Sequence, residues 1–232
     1  MQITTSKNKQ VLSKKEIERA ANFEKLEMYS QGKGIASFAG GFPVVNNLIP
    51  EITDIVTHAS SQAYKIYSDQ TRTKMDQVRL ASKLAKDAER RLLSVGEKVF
   101  QTIKDNGVKV DSAFTTMKSK GETSDHPRSQ AIRERLQNME YGELRETLSS
   151  NEHVAGIFLS DPKMLYSLDD KQHSVVRDGL LSKHHPEAYE AMKSQDFYFK
   201  AYEAVLGNTQ DLVNIIASKE DVKKAESMRF EV

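Results

Sequence analysis

Cysteine is absent from the 232 residues. That excludes disulfides, thiolate nucleophiles and cysteine-ligated zinc or iron–sulfur centres. Tryptophan is absent too, and there are only 11 glycines and 5 prolines. A β-rich chain of this length needs more turns than those residues supply, so helix is the expected class. No run approaches the roughly 20 apolar residues that a membrane-spanning helix requires. Residues 1–10 are polar and lack an apolar signal core, so secretion by a signal peptide is not expected. The expected location is cytoplasmic or virion-associated.

What is present is an ordinary globular composition, 38% hydrophobic and 29% charged. That is too apolar for a disordered chain and too polar for a membrane protein. The formal net charge is +1, unevenly spread. Residues 1–46 carry +3, 47–106 carry +2, 107–150 carry 0 and 151–232 carry −4. This front-to-back gradient favours antiparallel or head-to-tail association. It is far from the concentrated basic charge of a dedicated DNA binder.

Ser13-Lys14-Lys15-Glu16 reads as a capping box. Ile17, Ala20, Ala21, Leu26 and Met28 then predict a helix of about four turns, stopped by Gly32 and Gly34. Residues 31–46 are rich in Gly and Ala and hold only one charge, Lys33. They form a connector whose apolar residues Ile35, Phe38 and Phe42, with Val44 and Val45, either line an inner surface or dock on a partner or membrane surface.

Residues 50–105 form the dominant feature. Pro50 suits a first helical turn, and neither Pro nor Gly occurs from Glu51 through Val95. Steps of 3, 4 and 4 from Ile52 give Ile52, Ile55, Ala59, Ala63, Ile66, Gln70, Lys74, Gln77, Ala81, Ala85, Ala88, Leu92, Gly96, Val99 and Ile103. An 11-residue repeat keeps one face of a nearly straight helix in register. Unbroken, about 55 residues would span roughly 80 Å. A polar lapse at Gln70, Lys74 and Gln77 interrupts the stripe, so any bend is expected between residues 68 and 79. The small residues Ala81, Ala85 and Ala88, continued by Leu92, Val99 and Ile103, suggest an oligomerisation or docking seam of coiled-coil type. The plainer reading is a helix packed on its own protein's core. Asp105-Asn106-Gly107 reads as a stop.

Asp111 is expected to open a short helix with Phe114 and Met117. Residues 119–129 are polar and suggest a domain boundary. Beyond them, short helices open at Pro127, Asn151, Asp169 and Pro186, Asp161-Pro162 opens a turn with Met164 and Leu165, Gly207 closes a helix, and Thr209 starts the last one with Leu212, Ile215, Ile216, Val222 and Ala225. The expected organisation is an N-terminal part over 1–118, a linker over 119–130 and a C-terminal helical bundle over 131–232.

No pattern of residues identifies a catalytic, metal or cofactor site, or a small-molecule substrate. The six histidines lack His-Glu-x-x-His spacing, and the adjacent His184-His185 is poorly placed to hold one ion. Gly40-Gly41 is followed by Phe42-Pro43, not by the Lys and Ser or Thr of a phosphate loop. The chain is therefore expected not to be an enzyme, and its partner to be a second copy or another protein. Nucleic acid is an alternative partner, through Lys7, Lys9, Lys14, Lys15 and Arg19, with Arg72, Arg79, Arg90 and Arg91.

From His153-Val-Ala-Gly-Ile-Phe-Leu-Ser-Asp-Pro-Lys-Met-Leu-Tyr-Ser-Leu-Asp-Asp to His184-His185-Pro186-Glu187, the chain resembles a segment of uncharacterised helical proteins of tailed phages and prophages. The shared features are a short apolar helix, a Pro-opened turn, Leu-x-x-Leu, an acidic cap and a Pro-started helix. The resemblance covers 35 of 232 residues and implies a phage origin, with no reaction and no catalytic residue. These readings together point to an all-α structural or interaction protein of a virion or its assembly.

Overall fold

The computed structural model describes residues 14–121, 127–218 and 223. Among the described residues the chain is all-α and holds no strand. The expected Ser13 cap, Lys7, Lys9, His126, Val222 and Ala225 lie outside them, as do the side chains of Lys14, Lys15 and Arg19.

Helix α1 (Lys14–Ser30) ends where expected. Gly32 and Gly34 come after it with φ of 73° and 75°, a left-handed backbone that residues with a Cβ rarely adopt. Two short 3-10 segments, Ile35–Ala39 and Pro43–Leu48, lead into α2 (Ile49–Ser68). Then come α3 (Lys74–Gly121), α4 (Pro127–Gln137), α5 (Tyr141–Ser150), α6 (Glu152–Ser160), α7 (Asp170–His184) and α8 (Pro186–Ile216).

The long segment breaks inside the expected window, between Ser68 and Lys74. Local hydrogen bonding explains the position. Asp69 Oδ1 accepts from the Thr71 amide at 3.0 Å, and Asp69 Oδ2 accepts from Arg72 Nε at 2.7 Å. Gln77 Nε2 reaches back to the Asp69 carbonyl at 2.9 Å. Thr73 Oγ1 accepts from the Asp76 amide at 3.2 Å and donates to Asp76 Oδ2 at 2.7 Å. An Asx turn thus ends one helix and a Thr-x-x-Asp cap starts the next.

The expected stop at Asp105-Asn106-Gly107 does not occur, and α3 continues to Gly121. Asn106 is buried on the same stripe, with Nδ2 3.5 Å from Ser194 Oγ. Ala113, Phe114 and Met117 carry the buried face onward. Their burial outweighs the modest helix-breaking preference of Asn and Gly. Asp111 therefore lies inside α3 and opens no helix of its own. Similarly, Gly207 and Thr209 lie inside α8, and the Thr209 hydroxyl donates to the Val205 carbonyl at 2.6 Å. The remaining starts match expectation. Asn151 accepts from the His153 and Val154 amides, and Asp169 with Gln172 forms a complete capping box.

Packing divides the chain into one unit of residues 1–99 with 200–232 and another of residues 100–199. This differs from a division at 119–130. Ala113, Phe114 and Met117 share a core with Leu136, Leu144, Leu148, Phe158, Val176 and Leu180. They therefore pack with the shorter helices α4 to α7. Conversely, Gly96 faces Tyr202, Val205 and Leu206. The end of α8 thus belongs with the first unit and not with the expected C-terminal bundle.

In the first unit, α2 buries Ile52, Ile55, Val56, Ala59 and Ala63. Four of these are apolar positions of the expected stripe and Val56 widens it, while the fifth apolar stripe position in α2, Ile66, is half-buried. The 3-10 segments close over α2 with Ile35, Phe38 and Val45 buried.

Candidate functional site

The six residues expected to form a seam, Ala81, Ala85, Ala88, Leu92, Val99 and Ile103, are all buried, between 0 and 4% exposed. Their face is covered by the chain itself. The plainer reading of the stripe is therefore the one the fold adopts, and a contact between copies must use another surface.

The apolar loop also turns inward. Ile35 and Phe38 are buried and Phe42 is half-buried. The Phe38 ring meets Tyr29 edge-on at 5.7 Å. Asn208 Nδ2 donates to the carbonyls of Ser37 and Phe38 at 3.0 and 3.2 Å. A docking loop would expose these phenylalanines, and here they line the interior. A Cβ at Gly40 would lie 2.7 Å from the Phe42 ring, at a φ of +64°. Glycine is required there by both space and backbone.

Four of the arginines expected to meet nucleic acid are each matched by a carboxylate. Arg72 pairs with Asp69, Arg79 with Asp76, Arg90 with Asp87 and Arg91 with Asp54. Such exposed pairs are individually weak, yet they leave this surface interleaved and without a single-sign stripe. The adjacent histidines point to different places: His184 Nε2 lies 3.2 Å from the Leu148 carbonyl and His185 Nε2 lies 3.1 Å from Glu152. Among the described residues no three His, Asp or Glu side chains gather as metal ligands. Nor is any described helix long and apolar enough to cross a membrane.

The most distinctive surface feature is the turn over residues 161–166. Asp161 ends α6, Pro162 fixes the backbone, and Lys163–Leu165 form one 3-10 turn. A turn this short has no face of its own to bury. Tyr166 points inward, 4% exposed, while Met164 projects outward, 88% exposed. Leu165 on the turn and Val175 on α7 are exposed as well.

Beneath this apolar tip lies a polar anchor. The Tyr166 hydroxyl donates to Asp161 Oδ2 at 2.7 Å, and Arg133 Nε donates to Asp161 Oδ1 at 2.9 Å. Burial, then the hydrogen bond and negative charge of Asp161, raise the Tyr166 phenol above its ordinary value, with Arg133 opposing. It stays protonated and remains a donor. The Phe158 ring lies between Tyr166 at 4.6 Å and His173 at 5.5 Å. Burial, with the cations Lys163 and Arg177, pushes His173 below its ordinary value, against a smaller pull from Asp170. Lys163 is itself tied to Asp170, whose carboxyl that contact holds below its ordinary value. The tip is thus gripped from α4, α6 and α7.

The sequence marks Asp161-Pro162 as a turn and places Met164 and Leu165 in it. It gives no sign that they are displayed rather than buried. The usable signal is two large apolar residues in a Pro-opened turn that lies between helices with complete faces of their own.

No family model matches this chain, and neither do any curated protein or solved structure.

Proposed function

We propose that the chain is a non-enzymatic structural protein, a virion or assembly component of a phage, whose partner is a further copy of itself. The observation that carries this reading is the 161–166 turn. Large apolar side chains are displayed on a firmly anchored backbone, the arrangement of a contact surface prepared before binding. The resemblance to phage helical proteins supports the phage assignment, because residues 153–187 contain this turn.

Charge supports a second copy as the occupant. The turn lies in the part of the chain that carries −4, and residues 1–46 carry +3. Association that pairs these two regions satisfies both. Because the expected seam is buried, the contact falls on exposed side chains that can be changed without disturbing the core.

Light scattering and small-angle scattering of the full chain at micromolar concentration test the reading. A mass that rises with concentration in the wild type and stays at one chain in Met164→Asp/Leu165→Asp is expected. A wild type that remains a single chain throughout would sink it. DNA or RNA binding that weakens steeply with added salt would favour the nucleic-acid alternative instead.

A further inference from the structure

Asn106-Gly107 is the one Asn-Gly pair in the chain. On an open backbone such a pair is chemically labile. Glycine has no Cβ to shield its own nitrogen, and its backbone is the freest of all residues. The Gly107 nitrogen gives up its proton to water or hydroxide and attacks Asn106 Cγ. The N–Cγ bond forms, the Cγ–Nδ2 bond breaks, and the carboxamide nitrogen leaves as ammonia. Water then opens the cyclic imide at either carbonyl, leaving aspartate or isoaspartate. One water enters, one ammonia leaves, and nothing is oxidised or reduced.

The fold withholds each part of that step. The pair lies well inside α3. In an α-helix the Gly107 N–H is committed to the carbonyl of Ile103, one turn back. A helical ψ of about −42° at Asn106 also keeps the Gly107 nitrogen off the line of attack on Cγ. The carboxamide is drawn toward α8: Asn106 Nδ2 lies 3.5 Å from Ser194 Oγ, and that hydroxyl donates to the Ala191 carbonyl at 3.0 Å. Asn106 is only 6% exposed, so water has little access to the reacting carbonyl.

The products do not suit the same place. Aspartate puts a carboxylate on the buried stripe, where an unpaired charge is costly. Isoaspartate routes the main chain through the former side chain and lengthens it by one carbon. That breaks the register between Ile103 on one side and Ala113, Phe114 and Met117 on the other, all of them buried. A chain that has reacted therefore closes α3 less well than before.

We propose that Asn106-Gly107 is a latent self-modification site, silent while α3 is intact and converted to aspartate and isoaspartate when α3 opens around it.

Peptide mapping of the full chain in mildly alkaline buffer, folded and in denaturing urea, tests this. Interior helical segments open with free energies approaching that of global unfolding, so the folded chain should convert at least about a hundredfold more slowly than the unfolded one. Gly107→Ala adds a Cβ that meets nothing within 4 Å, so it keeps the fold. It shields the nitrogen, and most of the conversion in urea should disappear. Equal rates in the folded and unfolded wild type overturn the proposal, as does undiminished conversion in unfolded Gly107→Ala. Hydrogen exchange at the Gly107 amide gives an independent check. The factor by which folding slows conversion should match the protection of that amide. Conversion that outruns amide opening would mean ring closure within the intact helix, and also overturns the proposal.

Discussion

Gly121 and Gly156 bring the backbones of α3 and α6 into direct contact. A Cβ on Gly121 would lie 2.2 Å from the Gly156 carbonyl carbon, and one on Gly156 would lie 2.1 Å from the Met117 carbonyl oxygen. Backbone cannot swing aside as a flexible side chain can. Either substitution to Ala must separate two helices that carry Met117 and Phe158 into the same core. A loss of about 2–3 kcal/mol or more is expected for Gly156→Ala in denaturant unfolding. Gly107→Ala should do the opposite. Gly107 lies inside α3 with open space where its Cβ would be, so a gain of about 0.5–1 kcal/mol is expected. Equal effects at the two sites would contradict this packing.

Leu92 and Met164 separate core from contact surface. Leu92 is 0% and Met164 88% exposed. Leu92→Asp buries an unpaired charge and should abolish cooperative unfolding. Met164→Asp should leave the melting temperature within a degree or two, since exposed substitutions generally change stability by less than about 0.5 kcal/mol. A large fall in melting temperature for Met164→Asp would show that the turn is part of the core.

Tyr166→Phe tests the anchor beneath the turn. It removes the donor to Asp161 while keeping the ring against Phe158. Arg133 remains as the other partner of Asp161. A loss of about 1.5–3 kcal/mol is expected, the range for a hydrogen bond to a charged group. A neutral result would mean that water replaces the hydroxyl without cost.

His173 should weaken the fold in acid. Its proton affinity is lowered on folding by burial and by Lys163 and Arg177. The unfolded chain therefore binds more protons, and stability rises with pH. The contribution is complete above the unfolded value of about 6.5 and is lost as pH falls from there through the lower folded value. His173→Gln should close the gap to wild type, or overtake it, as pH drops from 7.5 to 5.5. Parallel stability curves for wild type and His173→Gln would remove the assignment.

Helix class, most helix starts and the bend are legible in the sequence because they rest on local chemistry. The Asp169–Gln172 box, the Asn151 cap and Pro186 act within one turn, and they read the same in sequence and structure. The bend is placed correctly by a lapse in apolar residues. Its cause is equally local: the Asp69 turn and the Thr73–Asp76 cap are written in adjacent residues. The stops expected at Gly107 and Gly207 fail for the opposite reason. Glycine's preference is worth about 1 kcal/mol, and burial of neighbouring side chains exceeds it.

The burial of the seam residues within the chain could not be read in advance, because a periodic apolar stripe states that a face is covered, never by what. Ala81 through Ile103 look the same in sequence whether the cover is the chain's own helices or another copy. The exposure of Met164 is hidden in the sequence because display depends on whether neighbouring helices leave room. The histidine contacts are hidden for a related reason: His153, His184 and His185 reach residues up to 36 positions away in sequence.

The hydrogen bonds from Asn208 to Ser37 and Phe38 join residues 171 and 170 positions apart, and the Tyr67 hydroxyl reaches the Ile216 carbonyl. The first unit thus draws its last helix from beyond a complete second one. During synthesis, residues 1–99 leave the ribosome without Tyr202, Val205 and Leu206, which face Gly96. Residues 100–199, an uninterrupted stretch, can collapse meanwhile. Translation order therefore imposes a wait on the N-terminal half. Force-sensitive arrest sequences should record the middle of the chain folding first, with the outer unit closing only after α8 has emerged.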